Sequence, residues 1–141
     1  MKNLFLNREA LLQKDDLKIE KVELSRGFVF VREMTAKDKD DWEQSILKQK
    51  TNAKGAVQYE TSLEDFRAKL AVATVCDEAG NLVFKQSDIK LLNASMSASN
   101  MEKIVDVAQR INAITEKDRE EILKNSETDQ NDSSSSGSVE N

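Results

Sequence analysis

The chain has 141 residues with a formal net charge of −5, and it contains no histidine, no proline, one cysteine and four glycines. This length suits a single domain. Without histidine and with a single thiol, the sequence lacks the residues for imidazole or thiolate metal sites, for Ser-His-Asp or Cys-His catalysis and for a disulfide within the chain.

The negative charge is concentrated at the C-terminal end of the sequence. Residues 125–141 contain six serines, four acidic side chains and no Lys or Arg, so they carry −4 of the formal −5. We expect them to form a disordered acidic tail behind a folded domain at 1–124, because they bury too little apolar surface to offset chain entropy.

The charge and the apolar runs also bear on partners and location. Residues 1–124 are almost neutral overall, so they create no field that would attract nucleic acid. The longest apolar runs are far shorter than the roughly 20 residues of a membrane-spanning helix. We therefore expect a cytoplasmic protein with no nucleic-acid partner and no membrane partner.

The N-terminal part of the sequence predicts a β-hairpin. Residues 17–24 alternate between apolar and polar, with a slip at Lys21-Val22 that suggests a bulge. Residues 28–34 are rich in β-branched and aromatic side chains, and Gly27 lies in the turn between the two segments. Ahead of the hairpin we expect a short helix at 7–13, capped by Asn7.

Helical periodicity follows the hairpin. Three hydroxyl-x-x-acid sequences, which can cap the first N–H groups of a helix, begin at Thr35, Ser62 and Thr115. The predicted helices are 36–50, 63–76, 87–92, 101–114 and one that begins at 115. Residues 51–58 are predicted as a loop, and 82–84 as a short strand or a packed link. The resulting fold class is α+β, mainly α, with an N-terminal hairpin packed on about four to five helices.

The sequence offers little catalytic material. The glycines are too far apart for a Gly-x-Gly-x-x-Gly or P-loop phosphate site, and no cofactor is expected. Asp38 and Asp41 could in principle hold a hard cation, but an acidic helix N-terminus that opposes the helix dipole is the simpler interpretation. Cys76, at the end of an apolar helix, is interpreted as a buried small side chain rather than a reactive thiolate.

Four apolar residues are candidates for contact with a protein partner: Trp42, Ile46, Leu47 and Met101. Tryptophan is enriched at the energetic centres of protein interfaces. The alternative, which the narrow apolar stripe of this helix favours, is that Trp42 anchors the helix to the hairpin through Ile46 and Leu47. Met101, like the other methionines of the domain, is more simply interpreted as a gap filler than as an adaptable binding surface.

The order of the elements and several short strings resemble the tail assembly chaperones of siphophages and prophages. The strings are FVREMTA at 30–36 with Trp42-Glu43 after it, RAKL at 67–70, CDEAGNLVF at 76–84, AQRIN at 108–112, TEKD at 115–118 and KNS at 124–126. Together they cover residues 8–126.

The resemblance implies a non-enzymatic protein that coats the long, largely helical and apolar tape measure protein before the tail tube polymerises. Proteins of this family commonly exist as a short form and a frameshift-extended form, whose extra domain engages the tail tube protein. They also tend to form weak homo-oligomers. The alternatives are a structural connector or tail-completion subunit retained in the virion and, last, a carboxylate-based enzyme.

Removal of residues 127–141 tests the expected tail. Because disordered residues bury nothing, we expect the melting temperature to stay nearly unchanged while the solubility of the protein or its complex falls with the lost charge. Calorimetry and a precipitation assay measure the two effects. A large drop in melting temperature would mean that the segment belongs to the folded core.

Overall fold

The computed structural model describes residues 4–114, with the backbone alone at 48–50 and 59–61. Within this range the chain forms five α-helices, five strands and one 3-10 turn. The helices are α1 (Arg8–Leu11), α2 (Ala36–Ser45), α3 (Phe66–Thr74), α4 (Ile89–Ser95) and α5 (Ala98–Ile111). The strands are β1 (Ile19–Leu24), β2 (Gly27–Arg32), β3 (Leu47–Thr51), β4 (Val57–Thr61) and β5 (Val75–Cys76), and the 3-10 turn is Gln86–Asp88. The α+β, mainly α class is confirmed.

The predicted N-terminal hairpin is present, but it contains no bulge. β1 and β2 pair antiparallel in an unbroken register from Ile19–Arg32 to Leu24–Gly27. Val22 is buried on the inner face of the sheet, whereas Ile19 and Lys21 lie exposed on the outer face. The alternation of apolar and polar residues breaks at Lys21-Val22 because the apolar Ile19 lies on the outer face of the sheet. The strand contains no extra residue there.

β5 completes a three-stranded sheet in the order β1-β2-β5. It pairs antiparallel with β2 through Val31–Val75 and Phe30–Cys76. Residues 82–84 were predicted as a short strand or a packed link. Leu82 forms an isolated β-bridge with Cys76, and residues 83–84 form a link. The turn predicted at 77–81 is present, because the Asp77 carboxylate accepts hydrogen bonds from the backbone N–H groups of Ala79 and Asn81, each at 2.9 Å.

A second hairpin, β3–β4, replaces the predicted end of the first long helix and the predicted loop at 51–58. α2 ends at Ser45 rather than at Lys50, and β3 begins at Leu47. The two strands pair antiparallel from Leu47–Thr61 to Thr51–Val57. Most residues of β3 have good helix propensity, but pairing with β4, the other strand of the hairpin, overrides that local preference.

α3 is shorter than the predicted helix at 63–76, and the predicted capping box at Ser62 is wrong. Asp65 precedes the helix in a left-handed conformation with φ of 55°. Its carboxylate accepts hydrogen bonds from the side chains of Lys90 and Asn93 on α4, each at 2.6 Å. The hydrogen bond from Lys90 holds the pKa of Asp65 below its usual value. A tertiary contact with α4 thus takes the place of local capping.

The core lies on the inner face of the three-stranded sheet, where α5 packs on β1 and β2, and α3 packs on α5, α4 and α2. α5 begins where the side chain of Ser97 accepts a hydrogen bond from the backbone N–H of Asn100 at 3.1 Å. Its predicted apolar face is buried, and the buried members are Met101, Ile104, Val105, Ala108 and Ile111. The helix predicted to begin at Thr115 and the predicted tail at 125–141 lie outside the described residues.

Arg32, the last residue of β2, joins three segments of the fold. Its guanidinium donates one hydrogen bond to the carbonyl of Gly80 at 2.6 Å and pairs with the carboxylate of Asp38 on α2. Asp38 also completes the predicted capping box, because it accepts from the N–H of Thr35 at 3.0 Å while its own N–H donates to the Thr35 hydroxyl. Both charged side chains are largely buried.

The variant Asp38→Asn tests the importance of this ion pair. The amide keeps an acceptor for the helix cap but leaves the buried guanidinium of Arg32 without its counter-charge, so we expect a loss of roughly 2–4 kcal/mol in unfolding free energy. Urea titration measures it. The matched control is Asp41→Asn, which breaks an exposed pair with Lys37 and should cost less than about 1 kcal/mol. Equal losses in the two variants would contradict the assignment.

Candidate functional site

Three of the four residues predicted to contact a partner lie in the core. Trp42, Ile46 and Met101 are each at most 5% exposed. The ring of Trp42 meets the ring of Phe66 on α3 edge-on, with centroids 5.9 Å apart. The burial that the core interpretation of Trp42 predicts is confirmed. The expected anchoring through Leu47 is wrong, because Leu47 is exposed, and the aromatic contact of Trp42 is with α3 rather than with the hairpin. Met101 fills the core as interpreted.

Leu47 is the predicted partner residue that lies on the surface, with 42% of its area exposed. Val57 points from the same face of the second hairpin, because it pairs with Thr51, four residues after Leu47 on β3. The exposed Leu63 lies two residues after the end of β4. We call Leu47, Val57 and Leu63 the β3–β4 patch.

The two most exposed of the large apolar side chains that the structure describes, Phe5 and Leu4, belong to residues 4–12, which we call the N-terminal arm. Its five large apolar residues are between 49% and 95% exposed, and they are Leu4, Phe5, Leu6, Leu11 and Leu12. The predicted helix is present here as α1, with the Asn7 side chain accepting from the N–H of Ala10 at 3.0 Å. No residue of α1 is buried. The sequence analysis predicted this helix, but it did not predict that the apolar side chains of the segment are exposed. The signal that could have indicated an apolar surface is the presence of five large apolar residues within nine positions.

A cleft of about 820 Å³ lies between the turn of the first hairpin and the junction of α4 with α5. Its apolar lining includes Leu24, Phe28, Leu92 and Met96. Of the described residues that line the cleft, Arg26 is the one with a charged side chain. We call this space the hairpin cleft. Sequence reasoning did not predict it, because its two sides are almost 70 residues apart in the chain.

Two sets of contacts hold the shape of the hairpin cleft. Asn100 on α5 accepts a hydrogen bond from the backbone N–H of Ser25 at 3.2 Å and donates one to the Ser25 hydroxyl at 2.9 Å. Phe28 packs edge-on against Phe30, with centroids 5.6 Å apart, and the ammonium of Lys21 lies 4.3 Å from the centre of its ring. The cleft is therefore a preformed feature of the fold.

The carboxylates considered for cation binding are engaged with basic side chains. Asp38 is paired with Arg32, and Asp41 accepts a hydrogen bond from the ammonium of Lys37 at 2.9 Å. Across residues 4–114, no group of three or more acidic or cysteine side chains is placed to hold a metal ion. The same part of the chain contains no helix long and apolar enough to cross a membrane.

Cys76 is buried where β5 pairs with β2, as its interpretation as a small core side chain predicts. Burial raises the pKa of its thiol by disfavouring the thiolate, although the nearby Arg32 acts in the opposite direction. The thiol is therefore less nucleophilic at neutral pH than an exposed cysteine.

No protein-family model, curated protein or solved structure significantly matches this chain. A function for this fold therefore has to be argued from its own surface: the N-terminal arm, the hairpin cleft and the β3–β4 patch.

Thiol labelling tests the burial of Cys76. We expect the native protein to react with an aromatic disulfide reagent far more slowly than the urea-unfolded protein, because both burial and the raised pKa limit the thiolate. The control is Val83→Cys, which adds a thiol at an exposed position and should give one fast equivalent. Rapid labelling of the native wild-type protein would contradict this description of the site.

Proposed function

We propose that this protein is a non-catalytic chaperone that binds the tape measure protein of a phage tail and keeps it in solution before and during tail tube polymerisation. The identity of the partner rests on the resemblance of residues 8–126 to tail assembly chaperones. The binding role rests on one observation, which is the number of large apolar side chains that this small chain presents to solvent.

Exposed apolar surface is the kind of surface that a chaperone needs. Monomeric proteins rarely expose contiguous apolar patches of more than a few hundred Å², and larger patches mark interaction sites. Here the N-terminal arm and the β3–β4 patch both present leucines to solvent, at separate places on the fold. A long apolar helix has the complementary requirement, since it aggregates unless its surface is covered.

We assign contact with the tape measure protein to the β3–β4 patch. Leu47 is the one of the four predicted contact residues that lies on the surface. Val57 is exposed on the same face towards the other end of the hairpin, and Leu63 is exposed just beyond β4. Lys54 and Glu64, which are near the patch in sequence, are exposed, so charges of both signs accompany the apolar residues. This arrangement is typical of protein interfaces, which have an apolar core and a polar rim.

The acidic end of the chain supports the same function. Residues 125–141 carry −4 of the formal −5, and like charges on neighbouring subunits keep a coated partner dispersed. The complex forms in the cytoplasm of the bacterial host, and the chaperone is absent from the mature virion. A frameshift-extended form would bring the tail tube protein to the complex.

Co-expression with the tape measure protein of the same genome tests the proposal. We expect the tape measure protein to become soluble and to co-purify with this chain. The double variant Leu47→Asp/Val57→Asp should weaken the complex at least tenfold, because loss of interface anchors typically costs about 1–3 kcal/mol or more. Val83→Asp places one such charge at an exposed apolar residue outside the patch and should bind like the wild-type protein.

Two results would contradict the proposal. The first is a tape measure protein that stays insoluble with a correctly paired chaperone. The second is recovery of this chain in stoichiometric amount from mature particles by mass spectrometry, which would support a connector or tail-completion subunit instead. A loss of binding in Val83→Asp as well would place the contact outside the β3–β4 patch.

A further inference from the structure

We propose that a cavity between α2, α3 and the segment 82–86 binds a small free carboxylate that carries a short apolar chain. We call this space the α2–α3 cavity; its volume is about 240 Å³, and its walls include Trp42 on α2, Lys69 on α3, and Phe84 and Lys85 in the segment. None of the described residues that line it belongs to the β3–β4 patch. The proposal therefore stands or falls separately from the proposed function.

The indole N–H of Trp42 is a buried donor that still needs an acceptor. Trp42 is 3% exposed, and its Nε1 has no hydrogen-bond partner among the described residues. Buried polar groups in folded proteins are hydrogen-bonded in the great majority of cases, because leaving a buried donor unpaired costs free energy. Since Trp42 forms part of the cavity wall, an acceptor seated in the cavity can take this hydrogen. The ligand therefore has an acceptor atom at its buried end.

Two carboxylates line the cavity, and both are compensated by cations that lie outside its lining. Asp38 is paired with Arg32, and Asp41 accepts a hydrogen bond from the ammonium of Lys37 at 2.9 Å. Neither basic partner is among the described residues that line the cavity. The negative charge of the lining is thus already neutralised, so it opposes an anionic ligand only weakly.

Two ammonium groups of the lining, in contrast, have no carboxylate partner among the described residues. Lys69 donates a hydrogen bond to the carbonyl of Ser45 at 2.7 Å, which holds its ammonium at the end of α2 without neutralising the charge. Lys85 is exposed, on the solvent side of the cavity. An anionic acceptor can pair with an ammonium as well as with the indole N–H, and charge-assisted hydrogen bonds are the stronger ones. A carboxylate has two oxygens for these two kinds of donor.

The remaining walls are apolar, and the volume limits the ligand to a small molecule. The apolar lining comes from Val72 and Ala73 on α3 and from Leu82 and Phe84. The cavity is smaller than the roughly 300–1,000 Å³ of sites for drug-sized ligands, so we expect an apolar part of about four carbon atoms. So few contacts give weak binding, with a Kd on the order of 1 mM.

Trp42 itself supplies the test, because it is the only tryptophan in the chain. Its indole N–H gives a single signal in a ¹H–¹⁵N correlation spectrum of the full chain. We expect titration with pentanoate to shift this signal in a saturable way, as the N–H gains an acceptor. Pentanamide has the same shape without the charge, so it should bind at least about fivefold more weakly.

A pair of lysine variants tests the contribution of charge. Lys85→Gln removes an ammonium from the lining and should weaken pentanoate binding about fivefold, as expected for one exposed ion pair. The matched control is Lys39→Gln, which removes the same charge from an exposed position on α2 outside the lining. It should bind like the wild-type protein. Both side chains are exposed, so far-UV circular dichroism should stay unchanged.

A peptide terminus is the other source of the same chemistry. Acetyl-glycyl-leucine carries a carboxylate beside an apolar side chain, but its body is too large for the cavity. We therefore expect no saturable shift of the indole signal with this peptide. Binding of the peptide more tightly than pentanoate would overturn the assignment to a small free acid.

Three further outcomes would overturn the proposal. An indole signal that does not move at millimolar pentanoate would show that the N–H is not available to a ligand. Equal binding of pentanoate and pentanamide would show that the site does not select an anion. Equal weakening in Lys85→Gln and Lys39→Gln would show that pentanoate responds to the overall charge of the protein rather than to this cavity.

Discussion

The ion pair between Arg32 and Asp38 is the constraint around which the rest of the structure is arranged. It ties the end of β2 to the start of α2, and the same guanidinium reaches the carbonyl of Gly80 in the turn after β5. Asn112, the C-cap of α5, donates and accepts hydrogen bonds with the backbone of Arg32 and Met34 at this junction. The sheet, two helices and a turn are thus oriented at one point, and breaking a buried pair of this kind is costly because one charge remains uncompensated.

This arrangement leaves the functional surfaces outside the core. α5 buries its apolar face against β1 and β2, and α3 packs on α5, α4 and α2. Trp42 and Met101 are therefore used in the packing of the core rather than in contact with a partner. The second hairpin carries the β3–β4 patch, the arm precedes β1 in the chain, and the hairpin cleft lies beside the turn after β1. In the proposed function the β3–β4 patch binds the tape measure protein.

The features that could be predicted from the sequence are local ones. The capping box at Thr35, the N-cap at Asn7, the turn at 77–81 and the apolar face of α5 all depend on residues within a few positions of one another. Of the candidate partner residues, local spacing identified an apolar stripe at Trp42, Ile46 and Leu47. It could not show that Leu47 leaves the helix and becomes exposed on a strand.

The sequence by itself determined the fold class, the first hairpin, the regular helix α5 and the absence of histidine-based chemistry, because composition and short-range periodicity carry that information. Only the tertiary structure decided the second hairpin, the late start of α3 at Phe66 and the hairpin cleft. For α3 and the cleft the deciding contacts join segments that are far apart in the chain, Asp65 with Lys90 and Ser25 with Asn100, and no short window of sequence contains both partners. The second hairpin is a local element, and there the pairing of β3 with β4 overrides the helix propensity of its residues.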